Sequence, residues 1–281
     1  MLNHPELFIG TSGWAYKEWA GIFYPTGLKK SGELAHYATQ FNSVEINATF
    51  YRLPLESTVK GWRERTPKEF LFPVKGSRFI THIKRLKARK TAIAKFFNRA
   101  RLLKEKCGPI LWQLPPNFDF KNFKRLAAFL EKLPRKYEHA VEFRHPSWYE
   151  HEATFHLLQS RKVAHVSVSS LRMPMNLRVT TDFVYVRFHG LEGGPYHDYT
   201  RPELKPWAEH CGSFLASGMA IYAYFNNDLN TRAPWNAKLF REMIEKPRGP
   251  NRLSPTRRPH HPPRTQFRVL KISAAARRPL S

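Results

Sequence analysis

The chain has 281 residues, and a hydrophobic fraction of 42% with an aromatic fraction of 14% is enough for one large packed core. Two isolated cysteines, Cys107 and Cys211, exclude a disulfide framework. No stretch approaches the roughly 18 apolar residues of a membrane span, no secretory signal opens the chain, and a cytoplasmic protein without membrane partners is expected.

The net charge is +25. Residues 247–281 carry eight arginines, one lysine and no acid, which leaves about +16 for residues 1–246, so the body is basic as well. Such a field attracts phosphates and polyanions.

Short apolar runs recur along the chain, and each turns polar at its C-terminal end. FIGTS closes at Ser12, VEIN at Glu45 and Asn47, FPVK at Lys75, and ILWQLPP at Gln113. VEFRH closes at Glu142 and Arg144, VAHVSVS at residue 169, YVRFHG at Arg187 and His189, and YFNN at Asn226. From 12 to 226 these ends fall in seven intervals of about 31 residues, the size of a strand, a helix and two loops. Helical periodicity fills the intervals. Leu34, Tyr37, Ala38 and Phe41 follow it behind Ser31 as N-cap, and Ile93, Phe96, Phe97, Ala100 and Leu103 follow it ahead of Gly108 as C-cap. Phe123 to Leu133 and Leu204 to Cys211 repeat the pattern, while the interval from 169 to 187 is too short for a full helix. A last helix is expected over Trp235 to Glu245.

Strands alternating with helices predict a parallel sheet, and eight units predict closure. The expected fold is α/β, a single (β/α)8 TIM-type barrel over 1–246, followed by a disordered Arg/Pro-rich tail over 247–281. The tail's seven prolines and lack of periodicity carry that second expectation.

Several motifs resemble the YecE-like family (domain of unknown function 72), a set of uncharacterised TIM-barrel proteins. They are GTSGWAYKEWAGIFYP (10–25), FNSVEINATFYRLP (41–54), FLFPVKGSRFITH (70–82), GPILWQLPPNF (108–118), VEFRHPSW (141–148), YVRFHG (185–190) and YAYFNND (222–228). The resemblance implies a (β/α)8 barrel and supplies no reaction. LNTRAPWNA, after YFNND, departs from it.

Period two places Val44, Ile46, Ala48 and Phe50 opposite Glu45, Asn47, Thr49 and Tyr51, and Val184, Val186 and Phe188 opposite Tyr185, Arg187 and His189. With the apolar set toward the helices, the polar set converges on the C-terminal rim, where such barrels hold their sites. Lys75, Arg144 and Arg187 suit an anionic ligand. Glu45, Glu142 and His189 are the candidate proton-transfer groups, and Lys75 is a candidate Schiff-base amine. Ser12, Asn47, Gln113 and Asn226 would orient a polar substrate. The glycines of GLEGG (190–194) beside Arg187 and His189 suggest a phosphate loop. Structural ion pairs, Glu45 with Lys75 and Glu142 with Arg144 or Arg187, are the competing account.

These residues point to an enzyme acting on a phosphate-bearing or otherwise anionic small molecule or nucleotide, with no cofactor called for. Two alternatives stand beside it. One is a non-catalytic barrel that binds nucleic acid through its basic surface and tail. The other is a metal-dependent hydrolase or isomerase using Glu45, Glu142 and His189. The three cations disfavour the second, so no metal ligands are assigned. Oligomeric state is not legible.

Overall fold

The computed structural model describes residues 6–245, so the tail expected over 247–281 lies outside the described residues. Seven parallel strands form one curled sheet: β1 (Leu7–Thr11), β2 (Phe72–Lys75), β3 (Cys107–Gln113), β4 (His139–Glu142), β5 (Val163–Ser169), β6 (Phe183–Phe188) and β7 (Ala220–Phe225). Their order is β1-β7-β6-β5-β4-β3-β2, which leaves β1 and β2 at the two edges. The expected closed eight-stranded barrel is therefore corrected to a seven-stranded curled half-barrel with covering helices.

The missing strand is VEIN, and a proline explains why. Residues 43–46 lie between the two edges, but they make only isolated bridges, Ser43 with Leu71 and Ile46 with Val74. Val44 N donates to the Leu71 carbonyl (3.2 Å), Ile46 N to that of Pro73 (2.8 Å), and Lys75 N to that of Ile46 (3.0 Å). Regular pairing would also need a donor at residue 73 for the Val44 carbonyl. Pro73 has no N–H, so the two bridges never join into a ladder. On the other side, one bond from Glu45 N to the Thr11 carbonyl (3.1 Å) reaches β1. The chain then turns at once into a helical turn, Ala48–Tyr51, so the expected alternation of 48–51 is not that of a strand.

Gly10 allows that close passage. A Cβ at Gly10 would stand 2.1 Å from the Ser43 carbonyl oxygen and 2.6 Å from the Tyr37 hydroxyl oxygen. Gly10→Ala is expected to cost about 1–3 kcal/mol in urea denaturation through overpacking. A change within about 0.5 kcal/mol would show that the 43–46 segment yields freely.

Helices cover the outer face: α1 (Lys30–Gln40), the short α2 (Ala48–Tyr51), α3 (Glu56–Glu64), α4 (Lys90–Ala100), α5 (Phe123–Leu130), α6 (Glu152–Ser160), α7 (Arg201–Ala216) and α8 (Arg232–Glu245). No helix lies between β5 and β6. Gly108 sits inside β3 rather than capping α4, and Lys29 rather than Ser31 precedes α1. None of the described helices is long and apolar enough to cross a membrane.

The sheet separates two cores. Outward residues such as Val141, Phe143, Val184, Val186 and Phe188 pack with the helices, as their alternation requires. Inward residues Phe8, Leu111, Ala140, Ala164, Val166, Phe183 and three tyrosines form a second, smaller cluster. Phe8 stacks on Tyr222 at 4.9 Å, closing the bottom of the curl. Above them Tyr185 and Tyr224 turn their rings to the apolar floor and their hydroxyls upward. The Tyr185 hydroxyl donates to Glu45 Oε2 (2.7 Å), and that of Tyr224 shares a proton with Ser43 Oγ (2.6 Å). The tyrosine layer is thus the boundary on which a charged layer can rest.

Two buried outer-face histidines make the fold acid-labile. Trp112 Nε1, a donor only, bonds His139 Nδ1 (3.2 Å), so Nδ1 is unprotonated and Nε2–H donates to the Pro134 carbonyl (3.1 Å). Burial lowers the pKa of His139 to about 4 and that of His165 to about 3. The unfolded chain protonates first, near its ordinary 6.5, so stability falls as pH drops from there toward the folded values. The expected slope is about 1.4 kcal/mol per pH unit for each histidine. Urea denaturation at pH 7 and pH 5 reads it, and His165→Phe should remove about a quarter, since His82 and His189 are lowered by burial as well. An unchanged slope in that variant contradicts the assignment.

Candidate functional site

The C-terminal strand ends enclose a cavity of about 340 Å³. Seven residues picked from the sequence line it: Asn47, Lys75, Gln113, Arg144, Arg187, His189 and Asn226. Ser12, Glu45 and Glu142 lie directly beneath, buried at 1%, 0% and 0% exposure. All ten therefore meet in one region, although the sheet that carries them does not close.

Register explains the first contacts. Gln113 pairs with Glu142 across β3 and β4, and its side-chain nitrogen donates to Glu142 Oε1 (3.0 Å). Arg187, at the end of β6, is wholly buried and is held on both arms. Its Nη1 donates to Glu142 Oε2 (2.6 Å) and its Nη2 to Glu45 Oε1 (2.7 Å), with Ser12 Oγ a further acceptor at 3.2 Å. Arg144 Nε pairs closely with the remaining oxygen of Glu142. Burial alone would raise the Glu142 pKa, but Arg144 and Arg187 overcome it and hold the carboxylate well below its usual range. Burial would lower Arg187, and the two glutamates outweigh it and raise it.

This network fixes the ion-pair partners. Glu45 pairs with Arg187, not with Lys75. Glu142 accepts from Arg187 and Gln113 and pairs with Arg144, so it is an ionised anchor and a poor proton acceptor. His189 Nε2 faces Arg144 Nη2 (3.1 Å), Arg187 Nη1 (3.2 Å) and Glu142 Oε1 (3.2 Å), so it can accept from a guanidinium in one tautomer or donate to the carboxylate in the other. Burial, then Arg144, lowers its pKa to about 3, which removes it as a general acid near neutrality.

Lys75 stands apart. Its side chain lies in the pocket at 9% exposure, and among the described residues no carboxylate comes within 4.0 Å of Nζ. Its nearest aromatic neighbour is the Phe50 ring, 4.3 Å from Nζ to the centroid. The backbone is fixed on both sides, Lys75 N donating to the Ile46 carbonyl and the Lys75 carbonyl accepting from Thr49 Oγ1 (2.6 Å). Burial, then Arg187, lowers its pKa to about 8, with Glu45 and Glu142 opposing.

Asp228, Tyr16 and Tyr51 also line the cavity, outside the ten picked residues. Burial raises the Asp228 carboxyl, and it raises the Tyr16 hydroxyl, which donates to the Ser12 carbonyl (2.5 Å). Asp228 follows Asn226 by two residues in a loop, beyond the reach of strand periodicity. The glycine loop does not line the cavity, because a Cβ at Gly190 (φ +85°) would stand 1.8 Å from the Gly194 carbonyl oxygen. Those glycines fold the loop on itself. Among the described residues no three His, Cys, Asp or Glu side chains gather as a metal ion would require.

Residues 8–261 match the family described as "Protein of unknown function DUF72". The UPF0759 protein YecE of Escherichia coli K12 is 32% identical over 143 residues, which is 51% of this chain and 50% of that one. The chain thus spans about half the length of the E. coli relatives it matches. The UPF0759 protein YunF of Bacillus subtilis is 25% identical over 272 residues, 85% of this chain and 95% of the other. Among solved structures, a DUF72 family protein from Thermotoga maritima superposes with a TM-score of 0.78 at 31% identity, covering 86% of this chain and all of that one. One from Enterococcus faecalis gives 0.74 at 18% identity, covering 88% and 100%, a likeness of fold alone.

Proposed function

The chain belongs to the DUF72 family, whose description assigns no activity, and from the pocket's chemistry we propose that it takes up a small anionic molecule and acts on it. The observation that carries this reading is the Lys75 ammonium, buried at the cavity and without a carboxylate partner among the described residues. Every other cation of the set is neutralised: Arg187 by two glutamates, Arg144 by Glu142. An anion entering the cavity supplies the partner Lys75 lacks, which is why an unpaired buried charge is evidence of a site rather than of a scaffold. Arg144, half-buried, can reach the same anion with the guanidinium edge that Glu142 does not occupy. Asn47, Gln113 and Asn226 supply neutral donors and acceptors beside it, and Asp228 supplies a carboxyl group that burial raises.

The cavity has room for a sugar phosphate or a compact phosphorylated or carboxylated metabolite. A thermal-shift screen of phosphorylated metabolites and nucleotides on wild type and Lys75→Ala tests the reading. A ligand at about 100 times its Kd should stabilise the wild type by about 2.7 kcal/mol and leave the variant's transition in place. Equal shifts in both proteins, as binding of a polyanion to the basic outer surface would give, would overturn it.

A further inference from the structure

We infer that Lys75 Nζ is a nucleophile that forms a Schiff base, and that the ligand is a small anionic aldehyde or ketone. The inference rests on the anion-site reading above and specifies its substrate class.

Four observations converge on it. Lys75 Nζ has no ion-pair partner within 4.0 Å among the described residues, so its lone pair, once uncovered, is not drawn into a salt bridge. The side chain leaves the end of β2 from a backbone anchored by Ile46 and Thr49, which aims the amine at one point of the cavity. Burial, with the positive charges of Arg187 and Arg144, favours the neutral amine, against the attraction of the Phe50 face (4.3 Å) for the ammonium. Asp228, its carboxyl raised by burial, lines the same cavity and can pass a proton.

The step balances without an oxidant or reductant. The neutral amine adds to the carbonyl carbon, a C–N bond forms as the C=O π bond breaks, and the oxygen takes the proton that the nitrogen gives up, leaving a neutral carbinolamine. A second proton, from Asp228, lets that oxygen depart as water, and the nitrogen lone pair closes the C=N bond. The product is a protonated imine that keeps the positive charge Lys75 carried as ammonium. The substrate's own anion then falls to Arg144, so nucleophile and anion anchor are separate residues. Nothing in this step needs Glu142 or Glu45 to move a proton, in keeping with their engagement by arginine.

The arrangement also sets the pH response. The groups facing Lys75 are Glu142 and Arg187 from the sheet, Arg144 from just beyond β4, Glu45 from the 43–46 segment and His82 from the turn after β2. Burial lowers His82 to about 4, so it is neutral throughout the working range. Glu142 is held well below its usual range and Arg187 is raised, which leaves Lys75 as the group that titrates near pH 8.

Pyridoxal 5′-phosphate, an anionic aldehyde, serves as the probe on the full-length wild type. It is added at substoichiometric amounts, reduced with borohydride, and the modified lysine is located by peptide mass spectrometry. Labelling should concentrate on Lys75, at least tenfold over any exposed lysine at pH 7.5, and should level off above pH 8 to 9 while exposed lysines continue to gain. Pyridoxamine 5′-phosphate, with the same phosphate and no aldehyde, should slow the labelling. If it raises the melting temperature of wild type while Lys75 is not reduced onto the aldehyde, the Schiff base is wrong and the anion site stands. If neither compound stabilises the protein and labelling is spread over surface lysines, both are wrong. Lys75→Arg, which keeps the cation and lacks the nucleophile, should retain pyridoxamine phosphate binding and lose the adduct.

Discussion

Arg187→Met should cost about 3–5 kcal/mol of folding stability at pH 7, the largest loss expected from any single change in the pocket layer. The guanidinium is at 0% exposure and bridges two carboxylates at 0% exposure, Glu142 at 2.6 Å and Glu45 at 2.7 Å. Its removal leaves Glu45 with the Tyr185 hydroxyl and Glu142 with Gln113 and Arg144, two like charges beneath one cavity. The loss is the penalty of those uncompensated charges more than the intrinsic worth of the pairs. Replacing all three charges with apolar groups, as in Glu45→Leu/Glu142→Leu/Arg187→Met, should recover most of it.

The pH dependence gives an independent check on that account. In wild type the Glu142 pKa is depressed, so its contribution is present above the unfolded carboxylate value and is lost as pH falls below it. In Arg187→Met the Glu142 carboxylate loses one of the two guanidinium groups that depress it, so protonation relieves it at a higher pH than in wild type. The two urea-denaturation curves should therefore converge as pH falls from 7 toward 4. A deficit below about 1 kcal/mol at pH 7, or one constant with pH, would show that water already solvates these carboxylates.

The chain declares its site better than its architecture. Polar residues at successive strand ends betray a shared rim because a buried strand has no other reason to stop being apolar. The ten residues chosen on that ground meet at one cavity and the layer under it. Strand closure was misread for a local reason. VEIN has strand composition and the right spacing, but Pro73 in the neighbouring strand withholds one N–H, and Asn47 turns helical (φ −90°, ψ −20°). Neither effect shows in VEIN itself. Partner choice was likewise not legible: which glutamate meets which cation depends on register between strands far apart in sequence, and Arg187 rather than Lys75 takes Glu45. Asp228 was missed because loops have no period, and only packing against Tyr16 brings it to the cavity.

Lys75→Met should do the opposite of Arg187→Met: it should stabilise the fold by about 2–3 kcal/mol at pH 7 while abolishing ligand binding. Both residues are buried cations under one cavity, so the contrast isolates what pairing does. The folded pKa of Lys75 is about 8 against an ordinary 10.5, so folding forces an ammonium into a place that disfavours it. The sign follows from proton counts. Between the two values the unfolded chain holds the proton more often than the folded one, so wild-type stability rises with pH there. Below pH 8 the full penalty is present. Methionine has a similar length, carries no charge and packs against the Phe50 face that Lys75 now covers. The advantage of the variant should accordingly be greatest at pH 7 and fade toward pH 10. A variant less stable than wild type at pH 7 would mean that Lys75 is structurally compensated, and the case for a site at that position would lose its physical basis. A more stable variant that no longer binds would mark Lys75 as a residue held against the interest of the fold, which is the expected condition of a functional group and not of a scaffold.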